Sequence, residues 1–281
     1  MTKSRWLGIA VALGAIVLSG ESTAQAQSPS DPNSGALKFS GGFDVLSVEV
    51  FRGFVQDQEP RFTGEPYADL GIVLRSGDGV IKKTVVNVGV SNSLDTGASG
   101  TNGPSGQLHY EEDFYTRLSL LFGHQIAVDT GFLARTSPNN MFNTEKELDL
   151  RVAQASRLSP YAFLASELDV DGQADNGVRK GTYLELGVAP SFSVGGARLG
   201  IPAIVGLSVN DYYELAGKDH AFGYFTIGAT LTVPLKTVPS RFGSWNVHGG
   251  GQLYLFGDAT KVTNDGKATK PVGFVGIGVT Y

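Results

Sequence analysis

The sequence contains no cysteine. That excludes a disulfide framework, a Cys-ligated zinc or iron–sulfur centre and lipid attachment through an N-terminal cysteine. Charge is scarce as well: charged residues are 17% of the chain and the formal net charge is -5. Phosphate binding needs a basic face, so no nucleic-acid partner is expected. His109, His124, His220 and His248 stand apart, with no H-E-x-x-H pair, and no G-x-x-x-x-G-K-[ST] loop is present. Metal-hydrolase and nucleotide chemistry therefore have no support, and we expect no catalytic residue, no metal and no cofactor. Beyond the N-terminus no apolar run approaches the roughly 18 residues a transmembrane helix needs.

What the chain does have is glycine, 38 of 281 residues, without a G-X-Y repeat, together with 41% apolar and 10% aromatic residues. This is neither collagen nor a disordered tail. Lys3 and Arg5 precede an apolar run from Trp6 to Leu18, followed by the small-x-small tripeptide Ala24-Gln25-Ala26. The run is about 13 residues, too short to span a bilayer as a helix, and the pattern predicts export with cleavage before Gln27. Residues 1–26 are thus expected to be a signal peptide, 27–36 a flexible leader and 37–281 a single domain.

That domain alternates with period two, many times over. Val86, Val88 and Val90 alternate with Asn87, Gly89 and Ser91, and Phe114, Thr116, Leu118 and Leu120 with Asp113, Tyr115, Arg117 and Ser119. Val128, Thr130, Phe132 and Ala134 alternate with Asp129, Gly131, Leu133 and Arg135. Side chains on a strand point to opposite faces in turn, so each segment has one apolar and one polar or small face. Segments at Leu37–Phe51, Pro66–Leu74, Leu199–Leu207, Ser244–Phe256 and Lys270–Tyr281 bring the expected count to about twelve strands. In the first, Phe39, Gly41, Phe43 and Val45 share one parity and Leu46, Val48 and Val50 the other, which predicts a bulge near Val45–Leu46.

Three features favour hydrocarbon over a packed protein core. From Thr84 onward the apolar faces carry no Asp, Glu, Lys or Arg; a Lys or Arg on a lipid face costs roughly 2–4 kcal/mol at mid-depth. The opposite faces carry Asp113, Arg117, Asp129, Arg135, Glu147, Asp149, Arg151, Glu167 and Glu185, which a wet lumen tolerates and a dry sandwich interior does not. Connections also alternate in length. Short ones lie at Ser76–Gly79, Gly123–Gln125, Ser156–Ser159 and Gly195–Gly196, with a longer turn at Pro234–Gly243. Long polar ones lie at Gly53–Glu65, Asn92–Leu108, Ser137–Thr144, Asp171–Arg179, Asn210–His220 and Gly257–Thr269. The reading is an all-β, transmembrane, antiparallel up-and-down barrel with both termini on the short-turn side.

The last segment, Phe274 to Tyr281, places Val275, Ile277, Val279 and Tyr281 on one face and ends on an aromatic residue. It resembles the closing strand of bacterial outer-membrane barrels, which implies an outer-membrane location, lipid as surroundings and recognition by the barrel-assembly machinery. Val50-Phe51-Arg52-Gly53 with Gln56 and Pro60 is similar to the first-strand region of a group of exported proteobacterial barrels. Glu112-Asp113-Phe114-Tyr115, Asp129, Gly131 and Pro138 are similar to that group's middle hairpin. This second resemblance covers short patches and implies no activity.

The inward charges predict a narrow constriction selecting small hydrophilic solutes or ions, with Arg117 or Arg135 pairing with Asp129, Glu147 or Asp149. The function expected is a passive, porin-like channel; the alternative is a non-conducting structural or surface-interaction barrel with a plugged lumen. Loop acids, among them Asp57, Glu59, Glu65, Asp95, Asp211, Glu214 and Asp258, read as a solvated surface. Asp169-x-Asp171-Gly172 fails as a calcium loop because Lys180 stands where the glutamate should be. A lipid-modifying enzyme would have to use His248, which is expected to face water beside Asn246 and Gln252.

Overall fold

A computed structural model describes residue 33 and residues 35–97, 108–170 and 179–281. The signal segment, most of the leader and residues 171–178, among them Asp171 and Gly172, lie outside the described residues. Twelve strands build the wall: β1 Leu37–Leu46, β2 Thr63–Ser76, β3 Ile81–Asp95, β4 His109–Phe122, β5 Ile126–Thr136, β6 Glu145–Gln154, β7 Tyr161–Glu167, β8 Thr182–Val188, β9 Ala203–Asn210, β10 Phe222–Pro234, β11 Ser244–Phe256 and β12 Thr269–Thr280. Each pairs antiparallel with its sequence neighbours, and β12 also pairs with β1, Phe43 opposite Ile277 and Leu46 opposite Phe274. Closure leaves the wall without a sheet edge, which hydrocarbon requires because it offers no hydrogen-bond partner.

The distribution of residues is inside out. Leu70, Val88, Phe114, Leu150, Leu186, Ile227, Leu253 and Val275 point outward and are 40–54% exposed. Asp113, Asp129, Arg135 and Glu147 point inward and are at most 3% exposed. A protein in water would bury the first set. The wall is therefore a transmembrane β-barrel of the outer-membrane type, and among the described residues no helix is long and apolar enough to cross a membrane.

Two boundaries differ from the sequence reading. There is no bulge at Val45–Leu46: β1 runs in unbroken register with both neighbours to Leu46. The parity change at Val48 and Val50 marks the point where the chain leaves the sheet and turns into the lumen, where both side chains are buried. The Leu199–Leu207 segment is also two elements. Ala197–Gly200 pairs with Ser191–Val194 in a short extra hairpin, closed by Gly195 and Gly196 at φ 55° and 88°. Pro202, which has no N–H to donate, separates that hairpin from β9. The hairpin covers the part of β10 that the shorter β9 does not reach, Arg198 opposite Thr232 and Gly200 opposite Thr230.

Candidate functional site: a lumen filled by the first loop

Residues 47–62 connect β1 to β2 at the long-loop end and fold inward. Their tip is a two-residue hairpin, Val50–Phe51 against Phe54–Val55, turning at Arg52 and Gly53 with φ 46° and 88°. Two successive positive φ values are what a type I′ turn needs. Gly53 is required twice over, since a Cβ there would also lie 2.9 Å from the Tyr224 ring. Asn264, just past the short helix α1 (Asp258–Thr263), accepts from the Val55 N–H at 2.9 Å and donates to the Gly53 carbonyl at 2.7 Å. The Tyr213 hydroxyl donates to the Arg52 carbonyl at 2.9 Å, and Tyr110 to the Gln56 amide oxygen at 2.7 Å. These bonds give the buried loop partners for its polar groups, without which insertion would be unfavourable.

The tip is held by charge. Arg52 makes a fork-to-fork pair with Glu147 of β6, at 2.6 and 2.7 Å, and donates to the Tyr212 hydroxyl at 2.9 Å. Its guanidinium lies over the Tyr183 ring at 4.6 Å. The Phe51 ring sits 3.5 Å from the guanidinium of Arg135, which pairs with Glu111, with Glu145 at 2.6 Å and with Asp113 at 3.7 Å. Higher in the loop, Glu49 is buried and accepts from the Ser93 hydroxyl. Burial first, and then the charges of Glu111, Glu65 and Asp95, push its carboxyl well above the ordinary glutamate range against the Ser93 bond.

Two strands along the wall from Glu147, Glu185 of β8 accepts from three phenols, Tyr161 and Tyr183 at 2.6 Å and Tyr224 at 3.0 Å. The rings find room because the wall supplies glycine beside them: a Cβ at Gly187 would lie 2.3 Å from Tyr161, and one at Gly206 2.2 Å from Tyr224. Toward the short turns, Arg151 approaches Asp129 at 3.7 Å. Arg117 and Asp149 join that pair around a void of about 10 Å³, room for about one water.

All nine charges selected from the sequence lie on inward-facing positions of the barrel wall, but their pairing differs. Arg135 pairs with Glu111, Asp113 and Glu145 rather than with Asp129, Glu147 or Asp149, because those three acids share its depth. Glu147 pairs instead with Arg52, a loop residue that alternation along the wall could not assign. Asp57, Glu65, Asp95 and Glu214, expected in solvent, are buried. His248 is buried too: its Nε2 is 2.8 Å from Asp44 and its Nδ1 2.9 Å from Asn246, so polar side chains replace the expected water. Glu145, Glu147 and Glu167 bring carboxylate oxygens within 4.8 Å of one another, a spacing that could hold a cation. Arg52 takes both oxygens of Glu147, and Arg135 and the Gly181 N–H each take one from the others. Val275, Ile277, Val279 and Tyr281 lie on the outer face of the closing strand, and the Tyr281 backbone pairs with Phe39 at 2.7 Å.

No known family model matches this chain, and no curated protein matches it by sequence. Among solved structures, the outer membrane phospholipase A of Escherichia coli shares 10% identity at a TM-score of 0.47, over 86% of this chain and 92% of that one. The translocator domain of the autotransporter NalP from Neisseria meningitidis shares 12% at 0.41, over 88% and 89%. A mutant porin of Rh. blastica shares 10% at 0.31, over 87% and 99%. The chain is an outer-membrane β-barrel on the evidence of its own closed, inverted wall.

Proposed function

We propose that in its resting state the protein is a non-conducting outer-membrane barrel whose lumen is occupied by its own first long loop. The Arg52–Glu147 pair carries this reading. A loop guanidinium reaches the far wall, and the side chains of both residues are 2% exposed or less. A barrel of this size has a backbone radius of roughly 12 Å, and an open one would wet its wall at this depth. Leu133, Tyr183 and Tyr224, all on the wall, are instead 0% exposed.

A second reading is a channel for small hydrophilic solutes in which residues 47–62 act as the gate. It draws on the ionic lining below the loop, Arg117, Asp129, Asp149 and Arg151. Planar-bilayer recording tests both. The intact barrel is expected to be closed, and replacing residues 48–60 by a short Gly/Ser linker is expected to give stable conductance. Steady conductance by the intact protein would remove the first reading, and silence of the loop-less barrel would remove the second.

The site speaks for a non-enzymatic role. Both ring nitrogens of His248 are engaged, by Asp44 and Asn246, on the buried inner face of the wall, away from the lipid-facing side. The outward, aromatic-ended β12 supports recognition by the barrel-assembly machinery. Tyr281→Ala should lower the membrane-assembled fraction in cells while refolding in detergent is unchanged; equal assembly would remove that assignment.

A further inference from the structure

The outer surface carries a depression at the seam where β1 meets β12. Gly41 of β1 stands between the outward rings of Phe39 and Phe43, and its partner across the seam is Val279. The missing side chain lets the Phe39 ring lean in, its tip 3.1 Å from where a Cβ of Gly41 would stand, and leaves Gly41 and Val279 as a low floor beside that ring. Phe39 and Tyr281 bound it toward the short turns, and Phe43 and Ile277 toward the barrel middle. Trp245 of β11, opposite Val279, and Phe242 from the turn before it complete the far side. The depression has a volume of about 590 Å³. It is preformed: the Trp245 indole N–H donates to the Phe242 carbonyl at 2.8 Å, which fixes ring and turn together.

Only lipid is present on this face, and a void of this size in hydrocarbon is filled by an acyl chain, because unfilled apolar walls lose their dispersion contacts. Two observations specify the rest of the molecule. The Arg241 guanidinium lies 4.8 Å from the centre of the ring of Phe242, which lines the depression, on the turn between β10 and β11. That turn, residues 235–243, carries Lys236 and Arg241 and no acid. The rest of the short-turn rim is similarly basic, with Arg75, Lys82, Lys83, Arg157 and Arg198 against Asp78, whereas the long loops mix both signs. A basic rim beside an indole at the water–hydrocarbon boundary is the arrangement that holds phosphate-bearing headgroups.

We propose that the seam depression is a binding site for an anionic glycerophospholipid, one acyl chain lying over Gly41 and Val279 and the phosphate set on Arg241. The site is independent of whether the lumen conducts.

Trp6 and Trp245 are the two tryptophans of the chain, so Trp6→Phe leaves one indole, which lines the site. This protein, reconstituted into phosphatidylcholine vesicles, is titrated with brominated phosphatidylglycerol or brominated phosphatidylcholine while Trp245 fluorescence is followed. The phosphatidylglycerol probe should quench at about fivefold lower mole fraction, the effect of about one basic residue near the surface. Arg241→Gln should abolish that preference, and Val279→Phe, which fills the floor, should abolish saturable quenching by either lipid. Heat-modifiable gel mobility establishes that each variant is folded. Equal quenching by the two probes, or a preference that survives in Arg241→Gln, would overturn the proposal. So would saturable quenching that survives in folded Val279→Phe.

Discussion

At the scale of single residues, Arg52 and Gly53 hold the first loop inside the barrel, for different reasons. Removing the Arg52 side chain strands the Glu147 carboxylate in a place from which water is excluded, and breaking one half of a buried pair costs about 3–5 kcal/mol. Arg52→Ala should therefore release the loop, seen as rapid proteolytic cleavage within residues 47–62. The double variant Arg52→Ala/Glu147→Gln should recover much of the protection, because no charge is left unpaired. Equal cleavage of the intact protein and Arg52→Ala would show that the loop is held by its apolar contacts alone. Arg52-Gly53 was visible in the sequence as part of a motif but could not be assigned to the lumen. Alternation along a strand tells which wall residues face inward and says nothing of a residue arriving from a loop.

At the scale of elements, loop 47–62 is held by an attraction at its tip and opposed by crowding of like charge at its base. Glu49 is faced by Glu65 of β2, Ser93 and Asp95 of β3 and Glu111 of β4. Its carboxyl is raised when the loop is docked, so the docked loop holds the proton more tightly than the released one. Docking is then fully supported below the ordinary glutamate value, about 4.3, and that support is lost as pH climbs toward the raised value. Loop cleavage rates should rise with pH over this range, and Glu49→Gln should flatten the dependence. A cleavage rate that falls as pH rises would contradict the assignment. The sequence held a trace of this element: Val48, Val50, Phe51 and Phe54, like Tyr212-Tyr213 in the loop after β9, are too apolar for a solvated connection.

For the whole molecule, the inverted wall makes a direct prediction. Leu150, mid-strand on β6, faces outward and is 44% exposed. Leu150→Arg should lower stability in lipid by roughly 2–4 kcal/mol, measured by denaturant titration, whereas on a water-facing surface the same change would cost almost nothing. A shift below about 0.5 kcal/mol would place that face in water.

The strand periodicity, the uncharged outer faces and the short and long connections determined the barrel and its strand number. Each follows from neighbours along the chain, because a strand's side chains alternate whatever surrounds it. Tertiary structure alone decided which charges pair, that Asp57, Glu65 and Asp95 are buried, and that the lumen is filled. Those outcomes depend on which residues share one depth and on where a loop goes once it leaves the sheet. Local pattern does not encode such a choice: it is made by the electrostatic and packing complement of a cavity that exists only after the wall has closed.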